Sequence, residues 1–177
     1  MEEKKNWKKF LILELSITAL LMIAVAAVVA FVDPFFHYHA PLRDFSYIMD
    51  NERYQNDGIT RNFEYDALIT GTSVSENFRT TLADELFNVT SVKATYAGGY
   101  YKEIGDGERR ALEYNDNIRL VIRSMDMYFA MTETDYRNPQ AADPEYLYDN
   151  NFLNDEAYLY NADVLFEYVN SGIGRTV

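Results

Sequence analysis

Cysteine is absent from the sequence, which excludes disulfide bonds, a thiol nucleophile and thiolate metal sites. Histidine is scarce, with only His37 and His39, and 16 lysines and arginines face 28 aspartates and glutamates. The formal net charge of −12 repels phosphate backbones, so nucleic acid is not an expected partner. Aromatic residues are abundant, with 15 tyrosines and 11 phenylalanines, which argues against a disordered chain. The length of 177 residues suits one domain.

The longest apolar run lies near the N-terminus. It covers residues 15–32 with only Ser16 and Thr18 as polar interruptions, and it extends over residues 10–32 if Glu14 is included. At about 1.5 Å per residue, a helix over residues 10–32 is roughly 34 Å long. That length covers a hydrocarbon core of roughly 30 Å. These residues are therefore predicted to form a transmembrane helix whose partner is the lipid bilayer.

Charges beside the run predict its orientation. The segment K-K-N-W-K-K at residues 4–9 precedes it, so the positive-inside rule places residues 1–9 in the cytoplasm and the chain after residue 32 outside the cell. The alternative is a cleaved signal peptide with V-V-A at residues 28–30 as the cleavage site. The apolar run exceeds the usual 7–15 residues or so of such a peptide. We favour a single-pass anchor over a cleaved signal, and either over the buried helix of a soluble protein.

The segment D-P-F-F-H-Y-H-A-P at residues 33–41 follows the run and is interpreted as membrane-proximal, because aromatic and imidazole rings suit the headgroup zone. On a strand, His37 and His39 would share a face and could bind a metal. No cysteine and no third ligand completes such a site. Interfacial packing is therefore the preferred interpretation, and neither a metal nor a cofactor is predicted.

An alternation of strands and helices predicts an α/β fold. Strands are predicted at residues 66–70, 89–95 and 118–125, and helices at 74–87 and 100–114. The spacing of Val74, Phe78, Leu82 and Leu86 indicates the first of these helices. A last helix is predicted at 155–169, with an apolar stripe of Tyr158, Ala162, Leu165 and Val169. The connections are predicted to include a turn at residues 56–58 (N-D-G), a loop at 96–99 and an irregular stretch at 137–151. Strand, helix, strand, helix, strand is the order of a parallel sheet covered by helices.

Three candidate groups follow the predicted strands. Ser73 follows the first, Gly98 and Gly99 follow the second, and Asp126 follows the third. Ligands of an open parallel sheet bind beyond the carboxyl ends of its strands, so these groups are predicted to share one crevice. Ser73 can be a nucleophile or a helix N-cap, since Glu76 three residues later completes a capping box. The two roles do not exclude each other, because a nucleophile elbow also begins a helix.

These blocks resemble the SGNH (GDSL-type) hydrolases, and in particular their membrane-anchored members in Gram-positive bacteria. G-T-S-V at residues 71–74 is similar to the family's G-D-S-L block, and S-M-D at 124–126 falls where its G-x-N-D block lies. The stretches at residues 33–39 and 54–73 look like theirs as well, and the resemblance spans roughly residues 33–166. It implies a three-layer α/β/α domain and a nucleophile at Ser73. It also implies oxyanion contacts from Gly98 or Gly99 and from position 126.

The chain departs from the family in two places that concern activity. The family's Asp-x-x-His, which supplies the base, has no counterpart after the third strand, and both histidines precede Ser73. Asp126 stands where the family has an asparagine, and an ionised carboxylate would repel an oxyanion. Thr72 in place of the family's aspartate is a milder change. We expect a chain that lacks its C-terminal half or a degenerate member of the family.

The predicted organisation is a cytoplasmic tail (residues 1–9), a transmembrane helix (10–32), a membrane-proximal segment (33–64) and a partial SGNH-like domain (65–177). One functional hypothesis is an extracytoplasmic esterase or acyltransferase that acts on acyl groups of a cell-envelope polymer, incomplete or inactive as it stands. The other is a non-catalytic envelope protein that binds a glycan or a protein partner. The missing histidine and the tyrosine-rich region at residues 136–160 favour the second.

Overall fold

The structure is a computed structural model that describes residues 2–43, 45–127, 136–139, 141, 144–149 and 151–170. Its helices and strands, in chain order, are α1 (Glu2–Val32), α2 (Glu52–Asn62), β1 (Ala67–Gly71), α3 (Ser73–Glu76), α4 (Thr80–Phe87), β2 (Ser91–Thr95), α5 (Tyr101–Tyr114), β3 (Leu120–Arg123), a 3₁₀ turn (Glu145–Leu147), α6 (Glu156–Leu159) and a π-helical turn (Val164–Val169).

The three strands form one parallel sheet in the order β2-β1-β3. The middle strand, β1, is buried along its whole length, and Ala67, Leu68 and Ile69 have no exposed surface. Its apolar run is what a strand covered on both faces requires. The predicted α/β class and parallel sheet are therefore confirmed.

The helix predicted over residues 74–87 is two short helices, because the chain breaks at residues 77–79 between α3 and α4. At the break, the Lys93 ammonium donates a hydrogen bond of 2.9 Å to the Glu76 carbonyl, where a continuing helix would use a backbone N–H. The apolar stripe that predicted the helix is largely exposed: Leu82 and Leu86 keep 51% and 68% of their surface. Only Ala83 of α4 is buried.

The predicted turn at residues 56–58 is wrong, because these residues lie inside α2. Turn-forming side chains are tolerated there because each has a partner on another element. The Asn56 amide donates to the Thr95 carbonyl at 2.6 Å, and the Asp57 carboxylate pairs with Arg110. α2 packs against β2 and α5, which makes it part of the α/β domain.

Gly58 lets α2 approach the chain that follows α1. A Cβ atom at this position would lie 2.2 Å from the Phe35 carbonyl oxygen and 2.5 Å from that of Phe36. Only a residue without a side chain allows that contact. The glycine that suggested a turn is thus required for a helix packed against backbone.

Residues 33–37 form the junction between α1 and the domain and are buried in protein. Phe35 and Phe36 are 2% and 1% exposed, and Phe35 packs against the rings of Tyr54, Tyr158 and Tyr168 with centroids 5.0–5.4 Å apart. The packing expected at a membrane interface is provided here by the domain's own aromatic side chains.

The Asp33 carboxylate organises the junction. It accepts the backbone N–H groups of His37, Tyr38 and His39 at 2.7–2.9 Å and the Tyr158 hydroxyl at 2.8 Å. Burial, together with the Asp33 charge, raises the pKa of Tyr158, so its phenol stays protonated and donates. Asp33 is fully buried, and its φ of +48° directs the chain away from the end of α1.

The helix predicted over residues 155–169 is divided into α6 and the π-helical turn. From the predicted stripe, Tyr158 and Val169 are buried, whereas Ala162 is exposed. Val164 and Val169 pack with Val29 at the end of α1. Part of the irregular stretch predicted at residues 137–151 lies outside the described residues.

Within the described residues, one helix is long and apolar enough to cross a membrane, and it covers Asn6–Val32 of α1. Most of its apolar side chains are exposed, as Leu15 and Leu20 illustrate at 66% each. The last turn differs, since Val29 and Val32 are buried in the domain core. α1 therefore ends inside the folded domain.

Candidate functional site

The sheet order predicts a crevice at the carboxyl end of β1, between the loops that follow β1 and β3. Because β2 and β3 lie on opposite sides of β1, the connection from β1 to β2 and the connection from β2 to β3 run in opposite directions across the sheet. Such a reversal of strand order is where open α/β sheets bind ligands. The candidate residues after β1 and β3 lie at this point.

Thr72, rather than Ser73, is the N-cap of α3. The Thr72 hydroxyl accepts the N–H of Val74 at 3.4 Å and donates to the Asp126 carboxylate. The interpretation of Ser73 as the capping residue is therefore wrong. Ser73 is the first residue of α3, and it is exposed. Among the described residues, no side chain is seen to hydrogen-bond its hydroxyl.

Two further serines hold the crevice together. The Ser75 hydroxyl donates to the Thr72 carbonyl at 2.7 Å and lies 3.3 Å from the Ser124 hydroxyl. Ser124 also accepts the Thr72 N–H at 3.3 Å. Gly71 is required beside them, because its φ is +134° and a Cβ there would lie 2.1 Å from the Ser124 hydroxyl oxygen. Ser124 was part of the S-M-D block without an assigned role, and Ser75, which lies inside α3, was not a candidate from the sequence.

Asp126 reaches the crevice as a hydrogen-bond acceptor. Its carboxylate receives the Thr72 hydroxyl, which joins the loop after β3 to the loop after β1. An ionised carboxylate has no proton to donate to an oxyanion. The described contact is a structural link between two loops.

The two glycines after β2 differ in what their backbones do. Gly99 donates its N–H to the Tyr96 carbonyl at 2.7 Å, so this amide already has an acceptor inside the turn. Gly98 adopts a φ of +61°, and its carbonyl accepts the Asn138 side-chain amide at 3.2 Å. Of the two, Gly98 is the better candidate for an amide that faces a ligand.

Neither histidine is bonded to Ser73 among the described residues. His37 is buried, and its Nε2 lies 3.3 Å from the Asp155 carboxylate. The His39 ring faces the backbone carbonyls of Ala40 and Phe31, at 2.6 and 3.1 Å. The two rings thus have separate partners. No group of three or more potential metal ligands occurs within the part of the chain that is described.

Two carboxylates, Glu52 at the start of α2 and Glu76 at the end of α3, lie close together. Glu52 accepts the Thr95 hydroxyl at 3.0 Å and the Ala97 N–H at 2.7 Å. Interaction with the Glu52 side chain raises the pKa of Glu76, because a second carboxyl group close by disfavours the ionised form. The pair borders a cavity of ≈ 550 Å³ that is also lined by Lys93. Glu52 was not a candidate from the sequence, because it lies in the segment interpreted as membrane-proximal.

No family model matches the chain, and neither a curated protein nor a solved structure is found to be similar to it. The resemblance to SGNH hydrolases therefore stays a prediction carried by the short blocks around Ser73, Gly98 and Asp126.

Proposed function

We propose that this protein is a membrane-anchored, extracytoplasmic member of the SGNH-like hydrolases, of the esterase or acyltransferase type. The observation that carries the proposal is the exposed Ser73 at the carboxyl end of the middle strand, where the order β2-β1-β3 predicts a ligand-binding crevice. The substrate class is acyl groups on a cell-envelope polymer. It follows from the family resemblance together with the anchor.

In this chemistry the Ser73 oxygen attacks an ester carbonyl, and the acyl group is transferred to the serine as the alcohol leaves. The Ser73 and Gly98 amides are the proposed donors to the oxyanion. The serine proton must pass to a base, and a hydroxyl without one is a weak nucleophile. Since both histidines are bonded elsewhere, the chain is proposed to be incomplete or inactive as it stands.

We expect no burst of product when the protein is mixed with an activated ester, and Ser73→Ala should leave that slow rate unchanged. Added imidazole supplies the missing base from solution, so acylation of Ser73 should then increase. The measurement is the mass of the Ser73 peptide after exposure to ester, with and without imidazole. Ser73→Ala is the blank for hydrolysis in solution.

Two results would change this assignment. A burst that disappears in Ser73→Ala would show a working base and contradict the proposed inactivity. If imidazole produces no acylated Ser73 peptide, the serine is not placed as a nucleophile, and the SGNH-like assignment fails.

The alternative is a non-catalytic envelope protein that binds a glycan or a protein. The cavity of ≈ 550 Å³ beside Glu52, Glu76 and Lys93 favours it, because the cavity offers hydrogen-bonding groups without requiring a base. Retention of an envelope polysaccharide by both the wild-type protein and Ser73→Ala, without acylation under any condition, would favour this alternative.

The anchor proposal places residues 1–9 in the cytoplasm and the α/β domain outside. Because the chain has no cysteine, single cysteines report topology without background. An impermeant thiol reagent should label Glu113→Cys, an exposed position on α5, in intact cells. Asn6→Cys should react only after the cells are opened. The reverse pattern would overturn the orientation.

A further inference from the structure

The last described segment returns along α1 beyond the core. Val164 and Val169 pack against Val29, near the end of α1. Residues 160–166 then border a groove of ≈ 290 Å³ whose opposite wall is α1 from Thr18 to Val25. Contact between this segment and α1 thus extends well beyond the last turn of the helix.

The depth of this groove follows from helix geometry. Because Val29 and Val32 are buried in the domain core, the length of α1 that can meet lipid is counted from the exposed Val28. Val25 and Thr18 lie three and ten residues before Val28, which places them about 5 and about 15 Å from that point. One leaflet contributes about half of a hydrocarbon core of roughly 30 Å. If α1 spans the bilayer up to Val28, the groove lies at the depth of the outer leaflet.

The chemistry of the groove matches that depth. On the α1 wall, Leu21 and Met22 are 62% and 47% exposed. On the other wall, Phe166 is 72% exposed and projects beside the half-buried Leu165. Apolar side chains left this open are costly in water and are stabilised by lipid.

We infer that residues 160–166 lie in the outer leaflet beside α1, and that the groove between them holds phospholipid acyl chains. The inference rests on the proposed anchor, because the groove is continuous with the exposed apolar surface of α1. The segment also carries polar residues, including the exposed Asp163, so it is suited to the boundary between acyl chains and headgroups. Phe166 is the residue expected to enter the hydrocarbon.

Tryptophan fluorescence tests this in the full chain, since Trp7 is the only tryptophan. In a Trp7→Phe background, Phe166→Trp places one indole at the groove, and the protein is reconstituted in phosphatidylcholine vesicles with brominated acyl chains. Bromine near the headgroup end should quench this indole more strongly than bromine near the chain terminus. Leu20→Trp, in the middle of α1, should show the opposite order. Phe87→Trp, exposed on α4, should remain unquenched.

The tryptophans at positions 166 and 20 distinguish failure of the lipid-filled groove from failure of the membrane anchor. Quenching at position 20 without quenching at position 166 would overturn the lipid-filled groove and leave the anchor intact. That result includes the case in which a second copy covers the groove. Absence of quenching at both positions would overturn the anchor and the inference together. Equal quenching at positions 166 and 87 would show non-specific contact and also overturn the inference.

Discussion

Gly58→Ala is expected to destabilise the domain by about 3 kcal/mol or more. Alanine is the better helix former by about 1 kcal/mol, so propensity alone predicts a gain. The added Cβ would lie 2.2 Å from the Phe35 carbonyl oxygen and 2.6 Å from the Phe36 carbonyl carbon. These are backbone atoms, which cannot rotate away, so α2 would have to separate from the junction.

Gly105→Ala is the matched control. Gly105 is also inside a helix, α5, but a Cβ there meets nothing within 4 Å. This substitution should stabilise the protein by about 0.5–1 kcal/mol. Urea unfolding of both variants in detergent, followed by near-UV circular dichroism, measures the difference. Equal midpoints for the two variants would contradict the packing of α2 described here.

Asp33→Asn is expected to cost about 3 kcal/mol, because hydrogen bonds to a buried charge are worth roughly 1.5–3 kcal/mol each. One carboxylate oxygen accepts the His37 N–H and the Tyr158 hydroxyl, and the other accepts the N–H groups of Tyr38 and His39. Asparagine has nearly the same shape but replaces one oxygen with an NH₂ group. Two buried donors would then face another donor.

Asp116→Asn provides the control for loss of a charge, since Asp116 is exposed in the turn after α5. It should change the free energy of unfolding, measured in urea, by no more than about 0.5 kcal/mol. If Asp33→Asn behaves in the same way, the Asp33 carboxylate does not organise the junction.

The sheet could be predicted from sequence because its signal is local. β1 is an uninterrupted apolar run, and its burial on both faces is what such a run indicates. α2 could not be predicted in that way. Its buried residues run from Gln55 to Thr60. Asn56, Asp57 and Gly58 among them indicate a polar turn until their partners on distant elements are known. Long-range hydrogen bonds outweigh local preference there.

The apolar stripe on α4 shows a different limit. Spacing of four correctly indicated helix at Leu82 and Leu86 but not at Phe78, which lies in the break before α4. Leu82 and Leu86 nevertheless remain exposed. Periodicity reports that one face is apolar, and it carries no information about what covers that face.

The meeting of the loops after β1 and β3 was predictable, whereas the roles of their residues were not. Strand order alone brings Thr72 and Asp126 to the same edge, and their hydrogen bond agrees with that expectation. The distribution of roles was not predictable, because Ser73 and Thr72 are adjacent hydroxyl residues and either can cap a helix. The use of the Gly99 amide inside its own turn likewise depends on backbone geometry.

The end of α1 inside the core has a mechanical consequence. Val29 and Val32 are core residues, and the Asp33 N–H donates a hydrogen bond of 2.7 Å to the Val29 carbonyl. No flexible linker therefore separates α1 from the domain. With α1 in a bilayer, the crevice predicted at Ser73 would stay at a fixed distance from the lipid surface. Lateral diffusion would move the crevice within the plane of the membrane without changing its distance from the lipid. A polymer of the proposed substrate class could then be bound only where its chains pass at that distance from the membrane.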